Sequence, residues 1–173
     1  MNILKRLKAS LAFSKGVMLY DQGNKQLALE KFREAIEYNP SHVNALYNLG
    51  LILEKDFNKI EEAIENYQEV IKYKSDYPEA WNNWGLALVR LKKYEEAIEK
   101  YKEAVRYKPD YSEVWNNWGL ALARLEKYEE AIGKFKESIK LREDYLDAHN
   151  NLATTLQITS GMASKESVKF TRP

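Results

Sequence analysis

Apolar residues recur every three or four positions along most of the chain, the spacing of one helix face, and short polar stretches separate the runs. The clearest case lies between residues 78 and 142, where one pattern occurs twice. Trp81, Trp84, Gly85, Leu88, Ala97, Tyr101 and Ala104 are followed, in the same order, by Trp115, Trp118, Gly119, Leu122, Ala131, Phe135 and Ser138. Corresponding residues are 34 apart, as from Gly85 to Gly119. A fixed period of this size marks stacked supersecondary units, each too small to bury its apolar face alone. Each unit reads as two amphipathic helices. The first carries a glycine and the second an alanine, where a close helix pair leaves little room, and large residues at 46, 81, 115, 67, 101 and 135 fill the space around them. Pro40, Pro78 and Pro109 fall at predicted helix boundaries, where proline is tolerated.

In chain order, residues 3–20 are expected as one long helix with Ile3, Leu4, Leu7, Leu11 and Met18 among its apolar residues. Lys5, Arg6 and Lys8 make its start basic, against the helix-dipole preference. The first reading of that basic start is a solvated face. The alternative is a contact with an acidic partner or a membrane surface. Repeats are expected at about 9–42, 43–77, 78–111 and 112–145, followed by a capping helix at 146–158, all within one domain of residues 1–158. The first repeat is degenerate, with Ala12 and Lys15 in slots that usually hold larger or apolar residues. In the second, Gly50 to Ala63 is one residue longer than the matching interval elsewhere, which places an extra residue between Glu54 and Lys59. Residues 159–173 are polar and aperiodic and are expected to form a flexible tail.

The pattern resembles that of the tetratricopeptide repeat (TPR) family. Trp81, Trp84, Gly85, Leu88, Ala97, Tyr101, Ala104 and Pro109 occupy its eight characteristic slots, and the slots continue in phase from about residue 9 to 158. The resemblance implies an all-α fold, a right-handed superhelical solenoid of helix-turn-helix repeats. It also implies a protein-interaction scaffold whose first helices line a concave groove for an extended peptide. Transferred onto this sequence, the groove positions are Asn48, Asn82, Asn83, Asn116, Asn117 and Asn151, an apolar strip of Leu51, Leu86 and Leu120, and the cations Lys55, Arg90 and Arg124. Asparagine suits the task because its amide both donates and accepts and can pair with a peptide backbone of any sequence. The TPR subclass that clamps the carboxylate of chaperone tails is not matched, since Phe13, Val17, Glu79 and Asn83 stand at clamp positions and only Asn48 fits. The alternative function is a structural or assembly protein that self-associates through its terminal helices.

Lys plus Arg number 27 and Asp plus Glu 26, a formal net charge of +1, which does not point to nucleic acid. The chain has no cysteine and only His42 and His149, so neither a disulfide nor a thiolate or histidine-rich metal site is expected. No nucleophile–base pair or phosphate loop stands out, and neither catalysis nor a cofactor is expected. The four tryptophans are read as core residues. A cytoplasmic location is expected.

Overall fold

The computed structural model describes the backbone of residues 2–170 and the side chains of residues 2–162. Among the described residues there are nine α-helices and no strand: α1 Ile3–Asp21, α2 Lys25–Tyr38, α3 Val43–Lys55, α4 Ile60–Tyr73, α5 Pro78–Arg90, α6 Tyr94–Tyr107, α7 Ser112–Arg124, α8 Tyr128–Leu141 and α9 Leu146–Phe170. The all-α, helix-hairpin expectation holds. The chain forms two compact units, Met1–Leu91 with α1–α5 and Lys92–Pro173 with α6–α9.

Local signals explain the helix ends. The Asn2 side chain caps α1 by accepting from the Leu4 N–H at 3.0 Å, and Pro78 opens α5, where its missing N–H is not needed. Glu61 and Glu62, Glu95 and Glu96, and Glu129 and Glu130 fill the first turns of α4, α6 and α8, next to the positive end of the helix dipole. Three of the four turns that separate paired helices have three residues. The turn after α3 has four, residues 56–59, which is where the extra residue of the second repeat lies. The turns pass through left-handed backbone at Gly23, Asn58, Lys92 and Glu126. Glycine and asparagine adopt that conformation readily, whereas for lysine and glutamate it costs about 1–2 kcal/mol.

In Met1–Leu91, α1 pairs with α2 and α3 with α4, and α5 packs on α4. Phe32 and Tyr67 fill the interiors of the two hairpins and are almost wholly buried, among Leu29, Leu49, Ile52 and Leu53. In Lys92–Pro173, α7 pairs with α8, α6 packs on α7, and α9 packs on α8. Phe135 is the fully buried ring of that hairpin. The small first-helix residues make room for these rings. A methyl group at Gly50 would stand 2.7 Å from the Tyr67 ring, and one at Gly119 2.5 Å from the Phe135 ring, both inside contact distance. Ser138, in the slot that holds Ala104 one repeat earlier, is accommodated because its hydroxyl donates to the Ser112 carbonyl at 2.8 Å.

Two expectations are corrected. The last helix does not end at residue 158 but continues to Phe170. Between Thr159 and Phe170 there is no proline, and Met, Ala, Lys and Glu favour helix enough to carry it past Gly161. Residues 171–173 of the expected tail lie outside the described residues. The tryptophans stand at the edge of the core rather than inside it: all four are half-buried, and Trp84 packs against the core of the first unit. Trp81 stacks on Trp84 at 5.5 Å and Trp115 on Trp118 at 5.3 Å, with ring planes within 9° and 13° of parallel. An i, i+3 pair shares one helix face, so two indoles there meet each other. The smaller Leu46 and Leu49 at the same slots of α3 are buried. The Trp81 and Trp115 indole N–H groups reach the chain before each helix and donate to the Ser75 and Pro109 carbonyls at 2.8 and 2.9 Å.

Candidate functional site

The first helices carry the candidate side chains. Within Met1–Leu91, α1 and α3 enclose a cleft of about 340 Å³ lined by Val17, Tyr20, Asp21, Phe32, Asn48, Leu51, Ile52 and Lys55. Helical spacing explains the convergence, because Asn48, Leu51, Ile52 and Lys55 lie three or four apart on one face of α3. The floor is apolar and the rim holds one anion, one cation and one amide. The Asn48 side-chain amide donates one N–H to the Asn44 carbonyl at 2.8 Å within its own helix, which leaves it with a further donor and its acceptor oxygen. Tyr20 is fixed beside Asp56, which pairs with Lys25. Burial, reinforced by the Asp56 carboxylate, raises the Tyr20 phenol above its ordinary value.

The other asparagines are largely committed to packing. Asn83 on α5 donates to the Tyr47 hydroxyl on α3 at 2.8 Å and accepts from Asn82 at 3.3 Å. In the second unit, Asn151 on α9 donates to the Asn116 oxygen on α7 at 2.9 Å. The same slot thus reaches back to the preceding first helix in both places and ties neighbours together. Asn82 and Asn116 are only 7% and 3% exposed. Both lie inside the layer, not on an open surface, contrary to their placement among the groove residues. Asn116 faces the next first helix, where Asn151 donates to it, and Asn82 donates to Asn83 on its own helix.

The expected cations also divide. Arg90 is held by the second repeat: its guanidinium donates to the Glu54 carbonyl at 3.0 Å and the Asn58 side chain at 2.6 Å, and lies 3.5 Å from the Glu54 carboxylate. Glu54 is itself buried and accepts from the Tyr67 hydroxyl at 2.9 Å. Burial, with that carboxylate alongside, pushes the Tyr67 phenol far above its ordinary value. Asn58 stands where the later turns have Lys92 and Glu126, and its side chain supplies the acceptor for Arg90. Arg124 is exposed, as is Lys55, and no ion pair or hydrogen bond fixes Arg124 among the described residues. Leu86 is half-buried, and Leu120 is exposed on α7. In the first turn of α7, Glu113 pairs with Arg142 at 2.5 Å. Burial works against its charge, but bonds from its own N–H, Ser112 and Arg142 prevail and hold the carboxyl below its ordinary value.

Sequence reasoning missed three groups. Tyr47 and Glu54 looked like ordinary helix positions. The sequence signal was available for Glu54, because an acid stands where the next repeats have Val89 and Ala123. The third group is Lys134, whose ammonium lies 3.8 Å from the centre of the Trp118 ring and 5.1 Å from that of Trp115. Burial lowers the Lys134 pKa below its ordinary value.

Helix hairpins repeated in phase, with neighbouring first helices tied through matching side chains within each unit, define a helical-repeat scaffold. The chain belongs to the tetratricopeptide repeat family: models described as TPR repeat match residues 16–56, 57–92 and 85–126, and one described as Tetratricopeptide repeat matches 112–145. Membership of this family supports a general role as a scaffold for protein or peptide partners, and among the described residues no group of acids and histidines could hold a metal. Photosystem I assembly protein Ycf3 of Acaryochloris marina is 34% identical over 56 residues, which cover 32% of this chain. The chain therefore spans about a third (34%) of the length of that curated relative. MamA from Desulfovibrio magneticus RS-1 superposes with a TM-score of 0.82 at 20% identity, covering 94% of this chain and 92% of that one. The first TPR of Spaghetti (RPAP3), bound to the HSP90 peptide SRMEEVD, gives 0.66 at 26% identity, covering 68% of this chain and 93% of that one.

Proposed function

We propose that this chain binds an extended peptide against its first helices, with the α1–α3 cleft as the anchoring pocket. The observation that carries the reading is the cleft itself, in which Asn48, Leu51 and Lys55 meet Val17 and Tyr20. Its volume suits one large apolar side chain of a peptide. Asn48 would pair with the peptide backbone, and Lys55 would favour an acid next to the anchor. In the second unit, Leu120 and Arg124 offer a comparable apolar and cationic pair. The solved complex of RPAP3 with SRMEEVD supports the general mode, a peptide bound to a TPR domain. It does not support the same ligand. Phe13, at a clamp position, packs on Phe32 and His42 with ring centres 5.9 and 5.0 Å away, and supplies no cation.

The test selects peptides from a displayed random library on the purified chain and titrates the best binder by calorimetry into wild type and the Asn48→Ala/Lys55→Ala variant. Both positions leave the core untouched, so helicity should be unchanged. Affinity should fall by about 1–3 kcal/mol through lost hydrogen bonding. Unchanged affinity would sink the cleft as the anchor. A second reading, self-association through terminal helices, is favoured by the exposed Leu146, Leu156, Ile158 and Met162 of α9. Sedimentation over a concentration series tests it directly, and a monomer throughout would remove it.

A further inference from the structure

We propose that α1 is an interfacial helix that seats the chain on an anionic lipid surface. The helix has two opposed faces. Ala9, Ala12 and Gly16 are buried on one, where they meet the rest of the unit. At about 100° per residue, Leu4, Leu7, Leu11 and Met18 form a ridge on the opposite side. Leu7 is 63% and Leu11 71% exposed, and Ile3 at the end of the ridge is 75% exposed. Ile3, Leu4, Leu7 and Leu11 make an uncovered apolar patch of about two turns, which Ser14 and Lys15 separate from Met18.

The charge around the ridge decides its partner. Before Asp21 the helix carries Lys5, Arg6, Lys8 and Lys15 and no acid. Lys8 and Lys15 line one side of the ridge, in the cleft they share with Leu11 against α2. Glu34, the acid of that cleft, is already paired with Lys31. A ridge of leucines bordered by cations, on a helix far too charged to span, matches a helix that lies in the headgroup region with its apolar side down. A second copy fits less well. Pairing α1 with α1 opposes like charges, and α9 offers Asp147 as its one acid between residues 146 and 162. Because Val17 and Tyr20 face the α1–α3 cleft, the ridge can be occupied while that cleft is open.

The experiment is co-sedimentation of the full chain with vesicles of phosphatidylcholine alone or with roughly 30% phosphatidylglycerol, at about 0.1 M and about 0.5 M salt. Binding is expected only to the anionic vesicles and should weaken at high salt. Leu7→Glu/Leu11→Glu, at exposed sites, should keep wild-type helicity and reduce the bound fraction about tenfold. Lys5→Glu/Lys8→Glu should reduce it likewise. Equal binding to both vesicle types, or binding insensitive to the leucine pair, would overturn the proposal. A concentration-dependent dimer abolished by Leu7→Glu/Leu11→Glu, without vesicle binding, would assign the ridge to a second copy instead. So would an acidic helical peptide that binds where vesicles do not, for a protein partner.

Discussion

The α3–α4 hairpin of the first unit and the α7–α8 hairpin of the second use the same slots around different chemistry. In each, a glycine of the first helix admits a ring from the second, Tyr67 at Gly50 and Phe135 at Gly119. Around Tyr67 lies a polar cluster: the phenol donates to Glu54, and Glu54 and Asn58 hold Arg90. Phe135 has no hydroxyl, and the slot corresponding to Glu54 holds Ala123. The ring, the glycine and the hairpin are therefore separable from the polar cluster. The packing makes the hairpin. The cluster ties one repeat to the next, and it fixes a cation whose counterpart, Arg124, stays exposed.

If the ring is the common element, removing it should be the largest effect and about equal in the two hairpins. Tyr67→Ala and Phe135→Ala are each expected to cost about 3–5 kcal/mol in urea denaturation followed by circular dichroism. Trp115→Ala should cost about 1–2 kcal/mol less than Phe135→Ala, because the indole is only half-buried. A loss for Trp115→Ala as large as for Phe135→Ala would mean that the stacked indoles are part of the core after all. Next comes the space for the ring. Gly50→Ala and Gly119→Ala should each destabilise by about 1–2 kcal/mol. Overpacking of roughly 1–3 kcal/mol is partly offset by the better helix propensity of alanine. A gain in stability at either site would show that the ring yields easily and that the hairpin does not depend on close approach.

The polar cluster should distinguish the hairpins. Tyr67→Phe leaves the buried Glu54 carboxylate without its hydroxyl donor and should cost about 1–3 kcal/mol. Phe135→Tyr brings a hydroxyl into a site with no carboxylate beside it and should cost a similar amount. Adding Ala123→Glu to Phe135→Tyr should recover part of that loss, since it recreates the pair. If Tyr67→Phe proves neutral, Glu54 is satisfied by Arg90 and water, and the two hairpins differ in appearance only.

What was legible beforehand follows the same division. Period and residue size reveal hairpin packing, so the helices, the ring-on-glycine contacts and the family could be read from Gly50, Ala63 and Tyr67 and their counterparts. Positions chosen by slot alone were less secure. Asn48 and Leu51 do line a cleft. Asn82 and Asn116 sit in the slot beside it and are buried, because a one-residue step turns a helix by about 100° and moves a side chain from the open face to the packed one. Trp81 and Trp115 were misread because large apolar residues suggest a core, and nothing in the pattern says that two indoles three apart stack on each other. Arg90 and Arg124 stand in the same slot and in closely similar sequence context. What sets Arg90 apart is that Glu54 and Asn58 hold it, and the slot of Glu54 carries Val89 and Ala123 in the next two repeats.

That pair gives the smallest and most specific prediction. Arg90 is 43% exposed, so its ion pair with Glu54 is screened, and most of its value comes from the two directed bonds to the Glu54 carbonyl and Asn58. Arg90→Ala should therefore cost only about 1 kcal/mol in urea denaturation, and salt should change that loss little. Arg124→Ala should leave stability within about 0.5 kcal/mol of wild type, as for most surface substitutions away from such contacts. Its effect should fall on binding instead. A library-selected peptide with an acidic residue should bind Arg124→Ala more weakly than wild type, and the difference should shrink as salt is raised, because an exposed charge pair is screened. Arg90→Ala should not reproduce that salt-dependent loss, since its guanidinium is already engaged. If instead Arg90→Ala removes the salt-dependent binding and Arg124→Ala removes stability, the roles drawn from the two hairpins are reversed.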